Sequence, residues 1–121
     1  MAFPVSEDKI VDTETVLGRR LPELLRSRLL RDNGGDLVTD DDDWILHPVR
    51  DDSDRRRLSR TANDIVTETR AALGWSGFPS DGIAIASNGS GDLLVLMPDS
   101  DDVFFWDHED NALTSAVVDW S

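Results

Sequence analysis

Short apolar segments alternate with short turns in the second half of the chain, and this pattern restricts the fold more than any other feature. The segments cover residues 83–86, 93–97 and 103–106, and the turns between them are rich in Gly, Asn, Asp, Ser and Pro. Turns of this length can join antiparallel strands, whereas parallel strands need a crossover of about a dozen residues or more. The pattern therefore predicts an antiparallel meander of three strands, and residues 113–118 are a candidate for a fourth.

Two of these segments, 93–97 and 103–106, are apolar at every position. A strand with one face in water alternates apolar and polar residues, so continuous apolar runs indicate strands that are covered on both faces. Residues 44–49 form a further strand pattern earlier in the chain. Pro48 within it predicts an edge strand or an early end, because proline has no N–H for the sheet.

The first half of the chain has the spacing and the end signals of helices. Residues 5–17 are expected to form the first helix, with Ser6 as its N-cap and Gly18 as its end. A second helix is expected to begin at Pro22, which suits the first helical position, and to end at the Asn33-Gly34-Gly35 turn. Two helices are therefore predicted before the first strand.

A central helix is expected over residues 61–73, where apolar residues recur at the helical period of about 3.6. Thr61 and Asp64 resemble a capping box at its start, and Gly74 is a natural end. The polar, arginine-rich residues 50–60 are expected to form a link before this helix.

The length of 121 residues is typical of one domain. Together with the patterns above it predicts a single α+β domain over residues 1–121, in which N-terminal helices and a central helix pack on a mostly antiparallel sheet. The chain contains no cysteine, no apolar run long enough to span a bilayer, and no apolar segment of a secretory signal near its start. These features predict a cytoplasmic protein.

Acidic residues outnumber basic ones, and the formal net charge is −13. The imbalance lies mainly in residues 61–121, which hold 11 of the 25 acids but only one base, Arg70. Phosphate contacts require clustered bases, so nucleic acids and anionic membrane surfaces are disfavoured as partners. The charge is explained either by solubility alone or by a basic protein partner, whose approach an acidic surface would accelerate.

Few residues have the arrangement that catalysis or metal binding requires. The histidines are His47, in a strand pattern, and His108, in the acidic run 107–110. Consecutive residues of an extended segment point to opposite faces, so this run is interpreted as an acidic turn rather than as a metal site. Gly89-Ser90-Gly91 precedes a strand pattern instead of a helix, which favours a hairpin over a phosphate-binding loop. No catalytic residue, cofactor or metal site is predicted, and a metal-dependent enzyme that uses His108 is an alternative hypothesis.

The chain contains four tryptophans. Trp44, Trp75 and Trp106 are expected to pack in or against the core. Trp120 is expected either to pack in the same way or, if exposed, to anchor a partner.

Three phrases occur in a fixed order along the chain. Leu21-Pro22-x-x-Leu25 leads to Asn33-Gly34-Gly35, Gly91-Asp92 precedes an apolar strand, and Val103 to Trp106 is followed by Asp107-His108-Glu109. With Trp44 between the first two phrases, this ordered set resembles the SUKH superfamily, specifically the branch named after a fungal regulator of cell-wall glucan synthesis. The resemblance covers residues from about 14 to about 110. Its matched residues, which are expected to be mainly structural, are Leu21, Pro22, Asn33, Gly34, Gly35, Trp44, Gly91, Asp92, Trp106 and Asp107.

The resemblance implies an α+β fold with helices packed against a mostly antiparallel sheet, in agreement with the residue patterns. Bacterial members of the superfamily are largely immunity proteins that bind and neutralise secreted or contact-delivered toxins, commonly nucleases. The resemblance therefore implies a non-enzymatic protein whose partner is a cognate toxin with a basic surface. The fungal namesake implies an alternative, a regulatory or scaffolding module that binds proteins.

Candidate positions for contact with such a toxin rest on charge, because no matched motif marks a binding site. They are expected in two acidic patches, and the protein is expected to be a monomer when alone. The first patch consists of Asp99, Asp101, Asp102, Asp107, Glu109 and Asp110, and the second consists of Asp40, Asp41, Asp42 and Asp43.

Overall fold

Four helices and seven strands make up the structure, a computed structural model that describes residues 3–40 and 42–120. The helices are α1 (Glu7–Leu17), α2 (Glu23–Arg31), α3 (Arg55–Arg60) and α4 (Ile65–Leu73). The strands are β1 (Gly35–Thr39), β2 (Asp43–Leu46), β3 (Ile83–Ser87), β4 (Leu93–Leu96), β5 (Val103–Asp107), β6 (Ala112–Ser115) and β7 (Val118–Asp119). Within the described chain, no helix has the length and apolar character that crossing a membrane requires.

The strands form one antiparallel sheet in the order β6-β5-β4-β3-β2-β1-β7. The edge strands β6 and β7 are separated in sequence by residues 116 and 117 alone. A flat sheet of this size would place its edges about 29 Å apart, whereas the chain from Ser115 to Val118 reaches about 11 Å at most. The sheet must therefore curl, and the rings of Trp44 in β2 and Phe105 in β5 meet across its concave face with centroids 5.6 Å apart.

Two hydrophobic cores lie on opposite faces of the sheet, and the predicted α+β class is confirmed. In β4, Leu94 and Leu96 belong to the larger core, which includes residues of α1 and α2, while Leu93 and Val95 belong to the smaller core beside α4. Successive strand residues point to opposite faces, so a continuous apolar run fits a strand that is covered on both sides. The prediction that the centre of the sheet is covered on both faces is confirmed.

The first helix and the three strands of the meander lie where the sequence predicted them. Helix α1 begins after Ser6 and ends at Gly18, whose φ of 78° is left-handed as expected for a C-terminal glycine cap. The Ser6 hydroxyl makes no capping bond, however, and contacts the Asp8 carboxylate instead. Strand β2 stops before Pro48, which confirms the predicted early end. The candidate fourth strand over 113–118 is divided between β6 and β7 at opposite edges of the sheet.

The predicted central helix over residues 61–73 is wrong at its start. Asp54 accepts a hydrogen bond from the backbone N–H three residues later (2.7 Å), and Asp64 does the same (2.9 Å), so each is the N-cap of its own helix. Asp64 is therefore not the N3 residue of a capping box that begins at Thr61. The Thr61 hydroxyl is held by the end of α3, and the expected link 50–60 contains that helix.

Helix α2 ends at Arg31, directly before the predicted Asn33-Gly34-Gly35 turn is reached, but the predicted left-handed cap is wrong. Asp32 is already extended at φ −144°, and the two glycines, at φ 111° and 81°, turn the chain into β1, a strand that the sequence patterns missed. The buried guanidinium of Arg28 donates to the carbonyl groups of Gly34 and Asp36, both at 2.9 Å. This arginine thus holds the segment that leads from α2 into β1 through its carbonyl groups.

An ion pair with little exposure joins α1 to α2. The Arg26 Nε atom lies 3.1 Å from Glu14 Oε2, and the two side chains are 7% and 11% exposed. The same carboxylate oxygen accepts a hydrogen bond of 2.6 Å from the backbone N–H of Leu21. Glu14 therefore positions the chain where it enters the second helix.

Candidate interaction surface

Of the ten acidic positions predicted from charge, the nine that the structure describes divide between two ends of the curled sheet. Because neighbouring strands alternate in direction, the β1–β2, β3–β4 and β5–β6 loops leave one end, and the β4–β5 turn leaves the other. Asp41 lies outside the described residues, and Asp99, Asp101 and Asp102 lie in the β4–β5 turn. The first end, which we call the acidic end, carries Asp40, Asp42, Asp43, Asp92, Asp107, Glu109 and Asp110.

A chain of hydrogen bonds connects the three loops of the acidic end. The Asn88 amide nitrogen Nδ2 lies 3.0 Å from Asp42 Oδ2 and 3.3 Å from Asp92 Oδ2. Asp92 Oδ1 in turn accepts from the backbone N–H of His108 (3.1 Å) and lies 2.6 Å from its ring atom Nδ1. The structure therefore joins the second predicted patch, in the β1–β2 loop, to the acids of the β5–β6 turn.

The β4–β5 turn at the other end has a different electrostatic environment. The guanidinium of Arg19 donates to the carbonyl groups of Met97 (3.1 Å) and Ser100 (2.9 Å) and pairs with Asp101 at 3.0 Å. This turn forms part of the lining of a cleft, and Arg19, Arg20 and Arg70 line that cleft as well. Two of the predicted interface acids, Asp99 and Asp101, thus line a cleft together with arginines, and Asp101 already has a partner.

Gly91 and Asp92, two residues of the matched motif, fix the position of His108. Gly91 has a φ of 99°, a conformation that favours glycine, and a Cβ atom there would lie 3.2 Å from the His108 ring. The missing side chain lets the ring pack on the backbone while Asp92 holds its Nδ1 atom. The first turn of the β5–β6 loop is therefore held against the start of β4 by the hydrogen bonds between Asp92 and His108, which we call the latch.

Replacing Gly91 with Ala should destabilise the protein by about 1–3 kcal/mol, because the new Cβ adds backbone strain and a contact with His108. Gly89 provides a matched control, since it also has positive φ (80°) but would meet no atom within 4 Å. Urea denaturation of Gly91→Ala and Gly89→Ala should give the larger loss for Gly91. Equal losses would mean that the His108 contact has no energetic effect.

Other matched residues also make contacts that hold loops in place. Asn33 is buried and makes two hydrogen bonds to the backbone of Val49. Asn33 Nδ2 donates to the Val49 carbonyl (2.9 Å), and the Val49 N–H donates to Asn33 Oδ1 (2.8 Å). Gly34 packs beside Pro48, and the Trp44 ring nitrogen donates to the Thr39 hydroxyl at 3.0 Å. The side chains of Leu21, Pro22 and Trp106, which also belong to the matched set, are buried.

Trp75 packs against the smaller core, as expected, but it is the most exposed of the four tryptophans. Trp44 and Trp106 are 2% and 1% exposed, but Trp75 is 45% exposed. One face of its ring stacks on Trp106, with centroids 6.2 Å apart and planes at 27°. Trp120 is half-buried, packs against the larger core, and accepts a hydrogen bond from Arg31 through its carbonyl. The tryptophan with the most accessible ring is therefore the one directly after α4, not the one near the end of the sequence.

Comparison with known protein families matches residues 4–119 to the SMI1 / KNR4 family (SUKH-1). The chain belongs to this family. The match covers nearly the whole chain, and the sequence resemblance to the SUKH superfamily is confirmed. No curated protein matches the chain closely enough to add a named relative.

In this SUKH-1 protein, Asp92, Asp107 and His108 each place a potential metal-ligand atom within 4.8 Å of the others. Reasoning along residues 107–110 alone missed this cluster, because Asp92 comes from the neighbouring strand connection. The 2.6 Å contact between Asp92 and His108 accounts for the arrangement as a hydrogen-bonded pair. That the protein holds no metal stays a prediction.

The latch makes His108 a titrating group with a predictable response. Its pKa is raised above the usual value of 6.5, chiefly by the hydrogen bond to Asp92. The folded state therefore binds the His108 proton more tightly, and this contribution to stability is present below pH 6.5 and lost as pH rises through the raised pKa. Asp92→Asn should return the pKa of His108 towards 6.5 and remove that part of the pH dependence.

Nuclear magnetic resonance (NMR) titration of the two imidazole rings would test the latch. His47 is an internal control, because it is buried and its Nδ1 atom lies 3.0 Å from the Ala84 carbonyl. Its pKa is lowered by burial, so it should titrate below 6.5 in both proteins. A native His108 that titrates at or below 6.5 would contradict the latch.

Proposed function

We propose that this SUKH-1 protein is a non-enzymatic immunity protein that binds and neutralises a cognate toxin, a secreted or contact-delivered nuclease, in the cytoplasm. The observation that carries the proposal is the acidic end, where seven described acids lie in three loops or at the strand ends next to them. Membership of the SUKH-1 family supports it, since that family is consistent with immunity-type binding.

Charge complementarity gives the proposed mechanism. A nuclease must attract phosphate, so its active-site surface is expected to be basic. A protein that presents clustered carboxylates can occupy such a surface in place of the nucleic acid, and opposite potentials accelerate the encounter. The hydrogen bonds through Asn88 and Asp92 hold the three loops together before binding, which lowers the ordering cost of association.

Capture of the partner would test this function. The protein, used as bait in lysate of the host at low salt, should retain one basic toxin domain that rising salt releases. The purified domain should lose its nuclease activity when one equivalent of this protein is added. Recovery of cell-wall or signalling enzymes instead would favour the regulatory module, and stoichiometric divalent metal in the purified protein would favour an enzyme.

A further inference from the structure

A partly open aromatic hollow adjoins the acidic end. It has a volume of about 280 Å³ and is lined by Trp75, Ser76, Gly91, Trp106 and His108. The Trp75 ring forms one wall, and its exposed part faces solvent rather than the core. His108 belongs both to this hollow and to the cluster with Asp92 and Asp107. The hollow and the acids are therefore parts of one surface.

Close packing fixes the tryptophan beside the acidic β5–β6 turn. Gly77, two residues after Trp75, lies against the Asn111 side chain, where an added Cβ atom would approach Asn111 Oδ1 to 2.1 Å. Asn111 has a φ of 55° and closes the turn that contains Glu109 and Asp110. None of the described residues that line the hollow carries a carboxylate, but carboxylate oxygen atoms of Asp92 and Asp107 lie within 4.8 Å of a ring nitrogen of His108, so acidic groups lie beside the indole-walled hollow.

We propose that the hollow receives an arginine side chain of the protein partner, with its guanidinium stacked on Trp75 and paired with the carboxylates of the β5–β6 turn. This inference rests on the proposed function, because it names the residue type by which the toxin is held at the same surface. In the described part of the chain, no base lies within ion-pair distance of Glu109 or Asp110, so their carboxylates are free to accept a cation.

Arginine fits this arrangement better than other residues. A cation is attracted to the face of an indole ring, and the guanidinium is planar, so it can stack on the ring while its N–H groups point outwards to carboxylates. A lysine ammonium supplies the charge but not the plane. An apolar side chain could fill the hollow but would leave the neighbouring acids unpaired and closer to a low-dielectric surface.

The probe for this site is a tri-arginine peptide with an acetylated N-terminus and an amidated C-terminus. Its binding is measured at low salt by NMR, from the shifts of the tryptophan indole N–H signals of the protein. The signal of Trp75, identified by its loss in Trp75→Phe, should shift in a saturable way, while that of buried Trp44 stays fixed. A tri-citrulline peptide, which has nearly the same shape without the charge, should cause no shift. Tri-lysine should bind less tightly than tri-arginine.

Matched charge variants separate this site from general attraction to an acidic protein. The pair Glu109→Gln and Asp110→Asn should weaken tri-arginine binding at Trp75 about fivefold or more. The pair Asp81→Asn and Asp102→Asn removes the same charge at the other end and should leave it unchanged. Equal shifts with tri-citrulline, or a Trp75 signal that stays fixed while the peptide binds elsewhere, would overturn the assignment.

The captured toxin gives a test that keeps this inference apart from the function. Trp75→Leu, checked for an unchanged melting temperature, should weaken toxin binding by about 5- to 30-fold. An unchanged affinity would show that the arginine site is wrong while the immunity function stands. Tri-arginine binding at Trp75 without any captured toxin would leave the site intact and remove support for the function.

Discussion

Replacing Arg26 with Met should lower the free energy of unfolding by about 3–5 kcal/mol, because it leaves the Glu14 carboxylate charged and nearly buried without its partner. The hydrogen bond to Glu14 is also the main reason that the pKa of Arg26 is raised. Urea denaturation at pH 7 measures the loss. The exposed pair Arg20–Glu23 is the control, since its side chains are 67% and 72% exposed and Arg20→Met should cost no more than about 1 kcal/mol.

A double variant tests whether the loss comes from the isolated charge. Glu14→Leu with Arg26→Met removes both charges and should recover most of the stability that Arg26→Met loses. Recovery should be incomplete, because the backbone N–H of Leu21 then has no Glu14 carboxylate to accept its hydrogen bond. The unsatisfied N–H lowers the free energy of unfolding by about 1–3 kcal/mol. A double variant as unstable as Arg26→Met would mean that packing of the arginine stem, not charge, dominates this site.

Local patterns were sufficient where neighbouring strands are close in sequence. The apolar runs 93–97 and 103–106 predicted β4 and β5, because each side chain in a doubly covered strand must be apolar whichever face it meets. Helix α1 was predicted for a similar reason, since Gly18 supplies a left-handed end that few other residues adopt. In these cases the residue and its structural cause lie within a few positions of each other.

The patterns failed where a distant residue decides the local structure. Strand β1 begins with Gly35 and has only three consecutive residues of strand character, at 37–39, and it pairs on its two sides with β2 and β7. The chain after α2 is held by Arg28, whose guanidinium donates to the carbonyl groups of Gly34 and Asp36, six and eight positions further along. Neither effect leaves a signal at the position that it controls.

The candidate surface was predicted only in part for the same reason. Charge alone identified the acidic residues, but Asn88 and Asp42, which join two of the loops, are 46 positions apart in the chain. Only the alternation of strand direction separates Asp99, Asp101 and Asp102 from the other acids. Trp75 was correctly expected to pack against the core, but the exposure of its ring was not predicted, because it follows α4 after Gly74 alone and the sequence does not indicate which side of the helix end faces solvent.

Reversing Glu109 and Asp110 to Lys should slow association with the captured toxin by about tenfold or more at low salt. Both acids belong to the acidic end, both are exposed, and the reversal replaces attraction of a basic surface by repulsion. The dependence of the association rate on salt should flatten as well, because screening then has less attraction to remove. Stopped-flow measurement of the association rate across a range of ionic strength gives both quantities.

The decisive comparison is with Asp81→Lys and Asp102→Lys, which change the net charge by the same amount at the other end of the sheet. These two acids are also exposed, and they lie beside the cleft and turn that Arg19 organises. If attraction depends only on the total charge of the protein, both pairs of reversals will slow association equally. If the acidic end is the surface that meets the toxin, the loss measured at 0.1 M salt will be confined largely to Glu109 and Asp110, because fields from charges more than about 10 Å away are strongly screened at that ionic strength. A larger loss from Asp81 and Asp102 would move the interface to the β4–β5 turn and contradict the proposed orientation.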